Sequence, residues 1–140
     1  MSLEQLTQAS SAVVQGRIVR QASQWNAAHT EIVTLTTIAV DKNIKGSTRG
    51  RVVVQQLGGT VGNVRVYVPG TARFYPQSHY MLFLERAANS ANFQMVGMEE
   101  GAYRIVSDPE THQERVVSPM GRVFYGKQHG GGEPASAPAV

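Results

Sequence analysis

GGTVGNVRVYV, residues 58–68, is either a phosphate-cradling loop that opens a helix or a bend that opens a strand. A phosphate loop works because a helix N-terminus follows it and a lysine reaches the terminal phosphates. Neither is present. Val64, Val66 and Val68 alternate with Arg65 and Tyr67, and a helix cannot bury one face with a period of two. The stretch therefore predicts a half-buried strand with its valines turned inward. Gly58, Gly59 and Gly62 read as backbone devices that supply positive φ in a hairpin turn. The alternative is a nest of backbone N–H groups holding an anion, helped by Arg65 or Arg73.

Outward from this strand the texture stays β. Upstream, AVVQGRIVRQASQW (12–25), EIVTLTTIAVDKNIKG (31–46) and RVVVQQL (51–57) are rich in β-branched residues, with turn residues between them. Gly16 inside the first marks a bulge or a close approach. The second carries apolar residues on both faces: Val33 and Leu35 on one, Ile32, Ile38 and Val40 on the other. It is expected to be covered on both sides for part of its length. Downstream, HYMLFLER (79–86) reads as a buried strand, and FQMVGM (93–98), AYRIVS (102–107) and ERVVS (114–118) as short ones. The last two form a hairpin about the turn at 108–113. Only residues 3–12 read as a helix, from the spacing of Leu3, Leu6 and Ala9. The prediction is an all-β fold: a small OB-like, partly closed barrel of about seven or eight strands with one short N-terminal helix. Residues 1–125 form the domain. Residues 126–140, rich in Gly, Pro and Ala, are expected to be a disordered tail.

Composition narrows the function classes. With no cysteine in 140 residues, disulfides, thiolate metal sites and cysteine nucleophiles are excluded. The net charge is +3, and from Lys42 to Leu84 six basic residues occur with no acidic one. Such a half attracts anionic polymers or stands as solvated strand ends. No run of 18 residues is free of charged and polar side chains, so no transmembrane segment is expected. MSLEQLTQASSAVVQG lacks the basic start and apolar run of a secretory signal.

Catalytic patterns are missing. Ser78 and His79 are neighbours and point to opposite faces of a strand, so they do not form a nucleophile–base pair. His29, His79, His112 and His129 lack metal-ligand spacing. Glu99-Glu100 and Asp108-Pro109-Glu110 read as solvated turn acids. No catalytic residue, metal or cofactor is expected. The aromatics interleaved with cations suggest instead a ligand face at the 69–78 loop, with Trp25, Arg65, Arg73, Phe74 and Tyr75. Phe83 and Phe93 are assigned to the core.

The succession LEQLTQASSAVVQGRIV, TLTTIAVDKNIKG, VVVQQLGGTVGNVRVYVPGTARF, YMLFLE and FQMVGMEEGAYRI, over residues 3–107, resembles an exported β-domain of environmental bacteria. It departs from that pattern at Gln77-Ser78-His79, where those domains show Gly followed by an acid. More distantly the layout is similar to netrin-like domains, among them the tissue inhibitors of metalloproteinases, which have an OB-type barrel. Those inhibitors act through an N-terminal cysteine, which this chain lacks. The resemblance implies export to the periplasm or beyond, the leader absent from the sequence as it stands; with no catalytic pattern present, the chain is expected to be a non-enzymatic binding module. The partner is then another protein or an anionic polymer. Two alternatives accompany this reading: a single-stranded nucleic-acid binder in the cytoplasm and a protease inhibitor.

Overall fold

Two long strands set the frame. The computed structural model describes residues 1–88 and 90–119, with the backbone alone of 122–125 and 137–138. In it β1 (Ala12–Trp25) and β2 (Ile32–Lys45), 14 residues each, run antiparallel. Their register slips at Val13/Val14, Gln15/Gly16 and Ile18/Arg20. Each slip bends and twists the pair, which lets flat β-branched segments coil. Gly16 sits at one slip, where a Cβ would collide with the Ala39 carbonyl and the Ile38 side chain. This is the close approach that a mid-strand glycine suggests.

The coil closes. β3 (Arg51–Leu57) pairs with β2. A small ribbon follows, β4 (Gly59–Val61) on β5 (Val64–Val66). β6 (His79–Arg86) pairs with β1 along one edge and with β7 (Phe93–Met95) along the other. β7 then meets β3 in parallel through Val54 and Phe93. The order β1-β2-β3-β7-β6 and back to β1 is a five-stranded ring of OB-like character. From the β7 edge of β6 the sheet also runs on through β8 (Ala102–Ser107), β9 (Glu114–Val117), β10 (Arg122–Tyr125) and β11 (Ala137–Pro138). β8 and β9 form the expected hairpin. Apart from the backbone of β11, the 126–140 segment lies outside the described residues.

Burial explains why β6 is apolar on both faces. Tyr80, Leu82 and Leu84 point into the ring, among Val14, Ile18, Ile38, Val54 and Phe74. Phe83 points outward into a second cluster with Leu6, Val13, Val96 and Tyr103. Leu6 comes from α1 (Leu3–Ala9), which lies over the outer face of β1, β6 and β8. A capping box starts α1: the Ser2 hydroxyl accepts from Gln5 N and the Gln5 side chain from Ser2 N. Lys45 Nζ donates to the Thr7 carbonyl at its other end, 2.8 Å away. Phe83 and Phe93 are buried, as assigned.

Three details differ from the sequence reading. Among the described residues the strands number eleven, because short pairings add to the long ones. Val64 and Val66 are 40% and 41% exposed, not buried. The alternation around them is real, but the strand belongs to a two-stranded ribbon that stands off the ring, so neither face is covered. Finally, β2 buries one face only, through Ile32, Thr36 and Ile38, whereas Val33 and Leu35 are half-buried.

Candidate functional site

At one end of the ring the inward face changes from apolar to polar. Beyond Ile18 and Ile38 the inward positions are Gln21 and Ser23 on β1, Thr36 and Thr34 on β2, and Gln56 on β3. Their hydrogen bonds run to one another and to nearby backbone groups. Gln21 Nε2 donates to Thr36 Oγ1 at 3.2 Å. Thr34 Oγ1 donates to the Gly58 carbonyl at 2.7 Å, so the Ser23 hydroxyl, 2.8 Å away, is the donor to Thr34. Both ends of the Gln56 amide clamp Ala72, accepting from its N–H at 2.8 Å and donating to its carbonyl at 3.2 Å.

That clamp positions the 67–74 loop. With Ala72 and Phe74 buried, the residue between them points out, and Arg73 is exposed. The β4–β5 ribbon folds over the same end. Gly59 makes this possible: its φ is +136°, and a Cβ would collide with the Ser23 and Thr34 hydroxyls. Gly58 and Gly59 thus form the corner where the chain leaves β3. Only Gly62, φ +60°, lies in the hairpin turn, between Val61 and Val64.

Between ribbon, loop and ring end lies a groove of about 450 Å³. Arg65, Tyr67 and Arg73 line it, with Gln21, Thr34 and Gln56 as its floor. Among the described residues neither arginine takes part in an ion pair. Glu99 is the single carboxylate on the lining. Tyr67 is 75% exposed, and β5 pairs with no strand but β4 among the described residues.

The five residues suggested by the sequence separate. Arg65 and Arg73 come together. Phe74 is a core residue, 4% exposed, packed edge-on against Tyr80 with ring centroids 5.2 Å apart; an aromatic in a polar loop is buried here because Ala72 and Phe74 are the loop's two anchors. Tyr75 is 48% exposed but off the groove, facing the Arg104 guanidinium at 5.6 Å. Trp25 stacks on His29, centroids 4.2 Å apart, at the tip of the β1–β2 hairpin. Tyr75 lies away from that tip: its N–H donates to Tyr80 Oη, and the Ser78 carbonyl after it accepts from Ile18 N. Seven residue steps along β1 separate Ile18 from Trp25, about 23 Å of extended strand. Tyr67 is the residue the sequence reading passed over. Its signal was the Arg65-x-Tyr67 spacing, which sets a cation and an aromatic on one side of a strand.

Among the described residues no group of three or more His, Asp or Glu is placed to hold a metal ion, and no helix is long and apolar enough to cross a membrane. His79 Nε2 lies 2.6 Å from Asp41 Oδ2, a pair on β6 and β2 outside the groove. No family model, curated protein or solved structure matches the chain.

Proposed function

We propose that the chain is a non-enzymatic, exported interaction module whose groove receives an extended acidic segment of another protein. One observation carries the reading: two arginines and a strand edge that find no acidic or strand partner among the described residues converge with an exposed tyrosine on a single groove. An incoming strand would find main-chain donors and acceptors along β5, and carboxylates on it would meet the guanidinium groups of Arg65 and Arg73. The export rests on the resemblance to bacterial exported domains.

The test is fluorescence anisotropy with a labelled oligoglutamate peptide. Binding is expected at low salt, and each of Arg65→Ala and Arg73→Ala weakens it by about tenfold, the size of a charge-assisted contact. Absence of binding, or indifference to both substitutions, overturns the proposal.

A second reading, single-stranded nucleic-acid binding, is favoured by the exposure of Tyr67 next to the two arginines. Such a ring can stack on a base for about 1–3 kcal/mol. It predicts that oligothymidylate binds more tightly than oligoglutamate, that Tyr67→Ala weakens it, and that its affinity falls steeply with salt.

A further inference from the structure

The opposite end of the ring carries a separate cationic pocket of about 410 Å³. Every ring strand reaches it. Ser11 and Ala12 precede and open β1, the 46–50 loop closes β2, Arg51 opens β3, Arg86 ends β6 and Phe93 opens β7. Arg49, Arg51 and Arg86 line it, together with the hydroxyl residues Ser47 and Thr48, and no carboxylate does. Twelve residue steps along β2 and its loop separate Thr34, in the mouth groove, from Gly46 here, about 40 Å of strand contour. The two linings share no residue.

The pocket is built rather than incidental. Asn43 fixes the 46–50 loop through two hydrogen bonds, Nδ2 to the Thr48 carbonyl at 2.7 Å and Thr48 Oγ1 to its own Oδ1 at 2.6 Å. Val40 N donates to the Gly50 carbonyl at 2.7 Å. Arg86 lies over the Phe93 ring, 4.8 Å from its centroid, and one of its nitrogens, Nη1, donates to the Ala91 carbonyl at 3.2 Å. Among the described residues its remaining N–H groups have no hydrogen-bond partner. Arg49 and Arg51 are exposed and, among the described residues, form no ion pair. Three like charges on one small cavity repel one another, and an oxyanion removes that repulsion while accepting several N–H bonds at once. Planar guanidinium forks match a tetrahedral oxyanion better than ammonium groups do.

We infer that this end of the ring is a binding site for a phosphate group, carried by a small phosphorylated molecule or by a lipid headgroup. Three arginines supply the charge, and the volume leaves room for a modest organic remainder.

The experiment is an NMR titration of the full chain with inorganic phosphate and with pyrophosphate, paired with co-sedimentation on phosphatidylcholine vesicles with and without phosphatidic acid. Saturable amide shifts at residues 46–51 are expected, stronger for pyrophosphate. Arg49→Ala/Arg51→Ala weakens binding by about a hundredfold, tenfold per charge-assisted contact, and the matching double lysine variant falls between. Arg17→Ala/Arg20→Ala, which removes the same charge from exposed positions on β1, changes it by less than about twofold. Capture by acidic vesicles, lost in Arg49→Ala/Arg51→Ala, assigns the phosphate to a lipid; shifts with soluble phosphates alone assign it to a small molecule. Absence of saturable shifts together with absence of vesicle capture, or equal losses in the two alanine pairs, overturns the site.

Discussion

Asp108 shows how much one side chain can organise. Its carboxylate accepts from Glu110 N at 2.8 Å and Thr111 N at 3.1 Å, and its backbone closes the turn through Gln113 and His112. The Glu110 N–H, then the Thr111 N–H, hold the carboxyl below its ordinary 3.8. The unfolded chain thus takes up a proton there before the folded one. The stabilisation is complete above the ordinary carboxylate range and is lost as pH falls through the lowered folded value. In an NMR pH titration the Glu110 and Thr111 amides should move together with a midpoint below 3.8. In Asp108→Asn, which keeps an acceptor oxygen but does not titrate, that shared transition should disappear. This turn was legible because Asp-Pro carries its own chemistry. The candidate site was only half legible at this scale. Arg65 and Arg73 are exposed charges wherever the chain goes, but whether an aromatic such as Phe74 faces water or core depends on the Gln56 clamp from another strand, and no local pattern reports that.

Among the elements, α1 is the one least able to stand alone. Seven residues are too few for a stable isolated helix, so its order comes from packing. Leu6 is fully buried against Val13, Phe83, Val96 and Tyr103. Leu6→Ala should lower unfolding free energy by about 2–5 kcal/mol in a urea titration, in the range of buried leucine truncations. A smaller loss, under about 1 kcal/mol, would mean that α1 frays without consequence for the ring. The same comparison explains the misread ribbon. The Val64–Val68 alternation and the α1 spacing are equally good local patterns, yet α1 finds a cluster to cover and β5 does not. Periodicity says which residues share a face; only the position of other elements says whether that face is buried. For β6 the pattern was unambiguous, because apolar residues on both faces leave no solvent side to assign.

The whole molecule depends on a closure of unequal strength. β1 and β2 share twelve paired positions, whereas β3 and β7 share one, Val54 with Phe93, helped by a 3.2 Å bond from Asn92 Nδ2 to Gln55 Oε1. Local opening follows the region with the fewest hydrogen bonds to break. The β3–β7 seam should therefore open before the rest; with β7 then held by three pairs to β6, native-state hydrogen exchange should find the amides of 93–95 less protected than those of β1 and β2. The seam also ends at Phe93, which lines the cationic pocket beneath Arg86. Phosphate held by Arg49, Arg51 and Arg86 would bridge the 46–51 segment to β6 and so tie the two sides of the seam together. A ligand that binds only the closed ring adds RT ln(1 + [L]/Kd) to the opening free energy, about 2.7 kcal/mol at a hundred times Kd. Exchange at 93–95 should then slow by about a hundredfold when phosphate is added at that excess, unless those amides already open only with the whole molecule. Equal protection of 93–95 and β1 without ligand would show instead that the ring opens as one unit, with the seam no weaker than the long strands that frame it.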